Sequence, residues 1–422
     1  MRLRTIRHNA LLASSVVLLP ASVIVAGAAT AQANTAITPQ QFTGQVTSGA
    51  TFNAKVILSG AQLKNNFMVG TTSMSEPLTQ PDDITRLGSM LYVAFQNNVG
   101  PMGQPNANGN LNSTIVEFTA SGQYVTQWSL PGHIDGLTAD AVYHQLIVTV
   151  NEDGNSSMFT INPSAFRPLQ VQSFRYNEVL AHGGGTDAIS IYQGQIFVSA
   201  SAPTVATGPA VYKVSLDWAT HVAMVTPVFY DNSVANNANM GTEGTTTLAL
   251  TDPDSNEVVP NASPRFGGDF VLDSQGDQEQ IYVHNAGQAN QTLNVLTLSQ
   301  SINDTAWATS TTGTLYATDN AQNEVLAVTG KFQPGTSFVA VTPCDANTAP
   351  SVCPSTGYPA NYLGTLNMFT GAISPVNISG VESFEPGGLL FVSSDNKFCT
   401  NASSICGDLK FAPSTIMNSK TN

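Results

Sequence analysis

The chain has 422 residues, of which only 10% are Asp, Glu, Lys or Arg, and 14 Lys+Arg face 28 Asp+Glu for a net charge of −14. Nucleic acid and anionic membrane surfaces need clustered cations to neutralise their phosphates, so both are excluded as partners. Hydrophobic residues make up 42%, enough for a large core, while the shortage of Glu, Lys and Arg argues against long helices and coiled coils.

Residues 1–33 have the layout of a secretory signal. Arg2, Arg4 and Arg7 precede an apolar run from Ala10 to Ala29, and the small-residue site Ala31-Gln32-Ala33 follows. Cleavage before Asn34 and general export are the expectation. No later apolar run approaches the ~20 residues of a spanning helix, so an extracellular monomer is expected.

Residues 34–422 read as a single all-β domain. Short runs of Val, Ile, Thr, Phe and Tyr alternate with Gly, Pro, Asn and Asp turn clusters, the pattern of a sandwich, barrel or propeller. A recurring triplet selects the propeller. It occurs as Leu91-Tyr92-Val93, Leu146-Ile147-Val148, Ile196-Phe197-Val198, Ile281-Tyr282-Val283, Leu315-Tyr316-Ala317 and Leu390-Phe391-Val392. An acid stands upstream of each copy, at the expected start of an inner strand: Asp83, Asp135, Asp187, Asp269, Asp304 and Glu385. The first three acids are 52 residues apart, a spacing that fits a four-stranded blade.

These segments, with the hairpins that follow them, resemble NHL-repeat and gluconolactonase-like six-bladed β-propellers over roughly residues 80–400. The resemblance implies four-stranded blades with acids near the inner-strand starts. Six blades are favoured and seven remain open, because residues 315–390 contain the additional strand-like run SFVAVTP. The strand-like segment 42–72 has no blade of its own. It is expected to complete the last blade and close the ring between the two chain ends.

Residues 234–266 read as an insertion far longer than an ordinary turn. Four cysteines fall near the C-terminus, where Cys344 and Cys353 and then Cys399 and Cys406 bracket short loops. In an exported chain they suggest two local disulfides, although crossed pairings stay open.

The acids at inner-strand starts could converge on the axial channel, where packed carboxylates call for a proton or a hard cation such as Ca²⁺. His133 and His182 precede two of them and could add an imidazole ligand or a general base. Against this, Asp at a strand entry often simply accepts backbone N–H bonds. A second candidate cation site comprises Asp252, Asp254, Asn256, Asp273 and Asp277, although it departs from an EF-hand at Glu257 and Ser263. His182-Gly183-Gly184-Gly185 looks like an esterase oxyanion loop, but no GxSxG nucleophile accompanies it.

Two functional classes follow. One is a binding or scaffold propeller for a polar small molecule, a carbohydrate or an extracellular protein. The other is a divalent-metal-dependent hydrolase or lyase, resembling gluconolactonase-like and streptogramin-lyase-like propellers and acting on a lactone or ester. Fold alone does not choose between them.

Overall fold

A ring of six strands lies at the centre of the computed structural model, which describes residues 52–201, 207–343 and 361–394. These strands are Pro81–Leu87, Ile134–Asp140, Ile189–Tyr192, Pro253–Val258, Ile302–Trp307 and Pro386–Ser393, and each contacts the next until the last meets the first. Every one is the innermost strand of an antiparallel sheet. The protein is therefore a six-bladed β-propeller.

The first blade continues outward through Met90–Phe95, Asn112–Thr119 and Tyr124–Pro131, and the second through Gln145–Val150, Ser157–Ile161 and Val171–Tyr176. The third continues through Gln195–Ser199, Pro209–Asp217 and Val222–Tyr230. Its outermost strand pairs in parallel with the edge of the second blade at Arg175 and Tyr176, so the two blades form one sheet.

Between adjacent blades lie six hydrophobic clusters, which hold the ring together. Tyr92, Trp128 and Leu146 pack between the first and second blades, and Leu58, Leu91 and Tyr316 between the sixth and first. Second strands such as Met90–Phe95, Gln145–Val150 and Ser337–Val341 are rich in Val, Ile, Leu and Phe because both of their faces meet a neighbouring blade.

The sixth blade is assembled from distant parts of the chain. Its inner strand is Pro386–Ser393, its middle strands are Gly313–Asp319 and Glu324–Gly330, and its outer strand is Phe52–Ser59. Phe52 and Asn53 also pair in parallel with Ile378 and Ser379. The first and last strands of the described residues thus share one sheet, as the sequence predicts for the ring closure. Lys64–Val69 and Thr72–Pro77 form a separate hairpin outside the blades.

The fourth blade departs from the sequence reading. Residues 234–266 are not an insertion between strands but carry Val234–Asn237 and Thr245–Thr247 at the blade's outer edge and then its inner strand, Pro253–Val258. That inner strand, PDSNEV, faces the channel and lacks apolar alternation, which is why it reads as a loop. The triplet Ile281-Tyr282-Val283 consequently falls on the third strand rather than the second, and Leu390-Phe391-Val392 lies on an inner strand. The signal segment, the four cysteines and their loops lie outside the described residues.

Candidate metal centre in the axial channel

A repeated break in register shapes the channel. Opposite its second strand, an inner strand carries one extra residue between Pro81 and Ile84, between Ile134 and Leu137, between Pro253 and Asn256, and between Ile302 and Asp304. The sixth blade has the same bulge between Pro386 and Leu389. A bulge twists the strand and re-aims the side chains within it. The first bulge position holds Asp82, Asp135, Asp254 and Asn303 in four blades, with Asp187 just before the short inner strand of the third and Gly387 in the sixth.

All of those residues but Gly387 line one cavity of about 460 Å³, open solvent at its mouth included, together with Asp83, Glu152, Asp252, Ser255 and Gln275. None of the lining residues is Lys or Arg.

At one side of the cavity, ligand atoms of His133, Asp135 and Glu152 all lie within 4.8 Å of one another. His133 Nε2 is 3.4 Å from Asp135 Oδ1 and 3.6 Å from Glu152 Oε1. The imidazole is held from behind by a 2.5 Å hydrogen bond between Nδ1 and the Val99 carbonyl. A carbonyl only accepts, so Nδ1 carries a proton and Nε2 is the nitrogen turned toward the carboxylates. Gln96 Nε2 donates to Asp135 Oδ1 at 2.8 Å. Asp135 Oδ2 is buried without a hydrogen-bond partner. A ring nitrogen facing two carboxylates, one of them with an orphaned oxygen, suits a cation between them. The three residues therefore fit a divalent metal, with imidazole at one position, carboxylate oxygens at two and the cavity side open.

Charge repulsion and dehydration are severe throughout the channel. Burial, reinforced by neighbouring carboxylates, pushes the carboxyls of Asp82, Asp83, Asp135, Asp254 and Asp304 well above the usual range. Burial likewise raises Glu152 to about 7, with the Asp187 charge adding to it. Asp187 is also raised by burial to about 7, although a hydrogen bond from Asp254 opposes the shift. That carboxyl–carboxyl bond needs a proton, which Asp254 holds.

The other sequence candidates are divided among different tasks. Asp83 Oδ2 accepts the Leu137 N–H of the next blade at 2.8 Å, while still facing the cavity. Asp304 accepts the backbone N–H groups of Leu389 and Thr305, tying the fifth inner strand to the sixth. Asp269 is displaced from the expected role: it precedes the second strand of the fourth blade and bonds His284 Nδ1 at 2.7 Å. The Glu385 N–H donates to Asp319 Oδ2 at 3.2 Å, and Glu385 is not among the residues lining the cavity. His182 opens the short turn His182–Gly184 before the third blade.

The second candidate set does not gather into one site. Asp252 and Asp254 line the axial cavity. Asn256 Nδ2 bonds the Ala188 carbonyl and Ser199 Oγ. Asp273 is saturated by Ser255, Thr305 and Gln280, and Asp277 clamps Thr251 and Ser274. Among the described residues, His133, Asp135 and Glu152 are the one His/Cys/Asp/Glu group close enough to share an ion. Sequence reasoning overlooked Asp82, Glu152 and Asn303. Asp82 is visible once PDDI, IDGL and PDSN are aligned on the bulge; Glu152 lies in a turn that no pattern marks.

No protein-family model matches the sequence, and no curated protein matches it. Solved structures similar to it include a periplasmic gluconolactonase from Pseudomonas aeruginosa, at 13% identity and a TM-score of 0.43, covering 81% of this chain and 99% of that one. A protein of unknown function from Bacteroides caccae is similar at 9% identity and a TM-score of 0.41, over 76% and 90% of the two chains. A protein from Lactobacillus plantarum is similar at 10% identity and a TM-score of 0.40, over 82% and 100%. The propeller architecture rests on this chain's own strand order and on the contacts around its ring. At these values the likeness says nothing about activity.

Proposed function

We propose that the protein binds a divalent cation through His133, Asp135 and Glu152 and uses it to hold a small polar, oxygen-rich molecule in the axial cavity. The observation that carries this reading is the convergence of three ligand atoms, one each from His133, Asp135 and Glu152, within 4.8 Å of one another, beside an Asp135 carboxylate whose other oxygen is buried without a partner. The imidazole favours Zn²⁺ or Mn²⁺ over Ca²⁺, whose sites are built from oxygen ligands. An exported monomer is the setting that the N-terminal segment suggests.

Hydrolysis of a lactone or ester is the second reading, and Asp187 favours it. Its carboxyl, raised to about 7, lines the cavity beside the cation site and can exchange protons near neutral pH. A bound metal would supply Lewis acidity toward a carbonyl; His133, Asp135 and Glu152 would hold it, and Asp187 would move the proton.

Titration of chelator-treated protein with Mn²⁺, Zn²⁺ and Ca²⁺ separately, followed by a lactone and ester panel, tests both readings. Binding lost in His133→Ala supports the cation site. Turnover lost in Asp187→Asn while the cation still binds supports the hydrolase. No binding of any of the three ions defeats both readings.

A further inference from the structure

We propose that Gly185, in the third-blade entry, is a positioning residue that sets Glu152 as the third ligand; the inference rests on the cation site proposed above. It gives a task to a glycine run that an esterase reading leaves unexplained.

Glu152 follows the strand Gln145–Val150, on a turn, with its side chain one-third exposed. Such a carboxylate would sample several positions unless its backbone were held. Two neighbouring blades hold it. From the third, the Gly184 carbonyl accepts the Ser156 N–H at 3.1 Å, and the Thr186 N–H reaches the Asn151 carbonyl at 3.4 Å. The Ser156 and Thr186 hydroxyls bond each other across the same seam. From the first blade, the Pro101 carbonyl accepts the Asp153 N–H at 3.0 Å. The same loop supplies the Val99 carbonyl that orients His133, so one loop fixes the approach to two ligands.

This seam closes only because residue 185 has no side chain. A Cβ there would lie 1.5 Å from the Glu152 carbonyl oxygen and 2.4 Å from its carbon. Both are backbone atoms, so no rotamer change relieves the clash and the Glu152 backbone must retreat. Gly194, in the hairpin turn of the same blade, is the natural control. Its φ is +75°, and a Cβ on it meets nothing within 4 Å. Alanine at 194 therefore strains only its own backbone, whereas alanine at 185 displaces Glu152.

The test is a double-mutant cycle on the full chain, read by Mn²⁺ titration calorimetry with melting of the metal-free protein as the check on folding. Gly185→Ala is expected to weaken Mn²⁺ binding about 10–100-fold, the usual cost of losing a supporting contact around a metal. In a Glu152→Gln background the same substitution is expected to cost less than about twofold, because the ligand it positions is already gone. Gly194→Ala lowers the melting temperature and leaves the affinity within about twofold. Thr186→Val removes the hydroxyl tie without a clash and gives a smaller loss that again depends on Glu152, which keeps the test decisive should Gly185→Ala fail to fold. Losses that multiply in the double variants, an unchanged affinity in Gly185→Ala, or an equal loss in Gly194→Ala would overturn the proposal. Folded, unsubstituted protein that takes up no Mn²⁺ instead overturns the cation site on which the proposal rests.

Discussion

His133 donates through Nδ1 to the Val99 carbonyl at 2.5 Å, leaving Nε2 turned toward Asp135 Oδ1 at 3.4 Å. This places the ring's basic nitrogen among acids, an arrangement that a proton or a metal resolves. His133→Ala removes the nitrogen ligand, and the affinity for Zn²⁺ or Mn²⁺ is expected to fall by about 100-fold or more. Calorimetry on chelator-stripped protein measures it. An unchanged affinity would place the cation elsewhere.

Asp135 predicts a trade between binding and stability. Its Oδ2 is buried with no partner, whereas the amide of Asp135→Asn keeps the Gln96 bond and offers a donor to the surrounding acids. Leaving a buried polar atom unpaired costs about 1–3 kcal/mol. The metal-free variant is therefore expected to melt about 2–5 °C higher than the unsubstituted protein while losing the metal-induced shift. A lower metal-free melting temperature would show that the Asp135 charge is compensated.

The pH dependence follows from the raised carboxyls. Asp187 and Glu152 reach about 7 in the folded chain, against ordinary values of 3.8 and 4.5. The folded state therefore binds more protons than the unfolded state between about pH 4 and 7, and stability falls as pH rises through that window. Metal-free protein is expected to melt about 5 °C or more higher at pH 5 than at pH 8. Saturating metal reduces the difference by replacing the protons as counter-charge. A metal-free protein more stable at pH 8 contradicts the raised carboxyls.

Ring closure gives a prediction independent of the channel. Phe52, on the N-terminal strand, packs against Phe332 at 5.1 Å and Phe338 at 5.6 Å between ring centroids. Phe52→Ala is expected to destabilise the domain by about 3 kcal/mol, measured by denaturant unfolding. A negligible loss would mean that the outer strand adds little to the ring.

Much of this architecture is legible in the sequence. Asp83, Asp135 and Asp187, at equal intervals, mark the first three inner strands, because regular blades of similar length space their entries regularly. The fourth and last blades defeat that logic for different reasons. In the fourth, the inner strand Pro253–Val258 is polar where it faces the channel, and Asp269 is the next acid before an apolar run. In the last, the chain leaves Ile302–Trp307, builds Gly313–Asp319 and Glu324–Gly330 in the neighbouring sheet, and only then returns. Spacing cannot show such interleaving. The site is only half legible: His133 and Asp135 stand on a strand entry that the repeat reveals, whereas Glu152 is brought in by backbone contacts from two other blades.

The ion content of protein purified without chelator tests the central claim most directly, measured beside the His133→Ala variant. The account predicts about one equivalent of a divalent transition metal in the unsubstituted protein and none in the variant. A folded protein that carries no ion and takes up neither Zn²⁺ nor Mn²⁺ would contradict it.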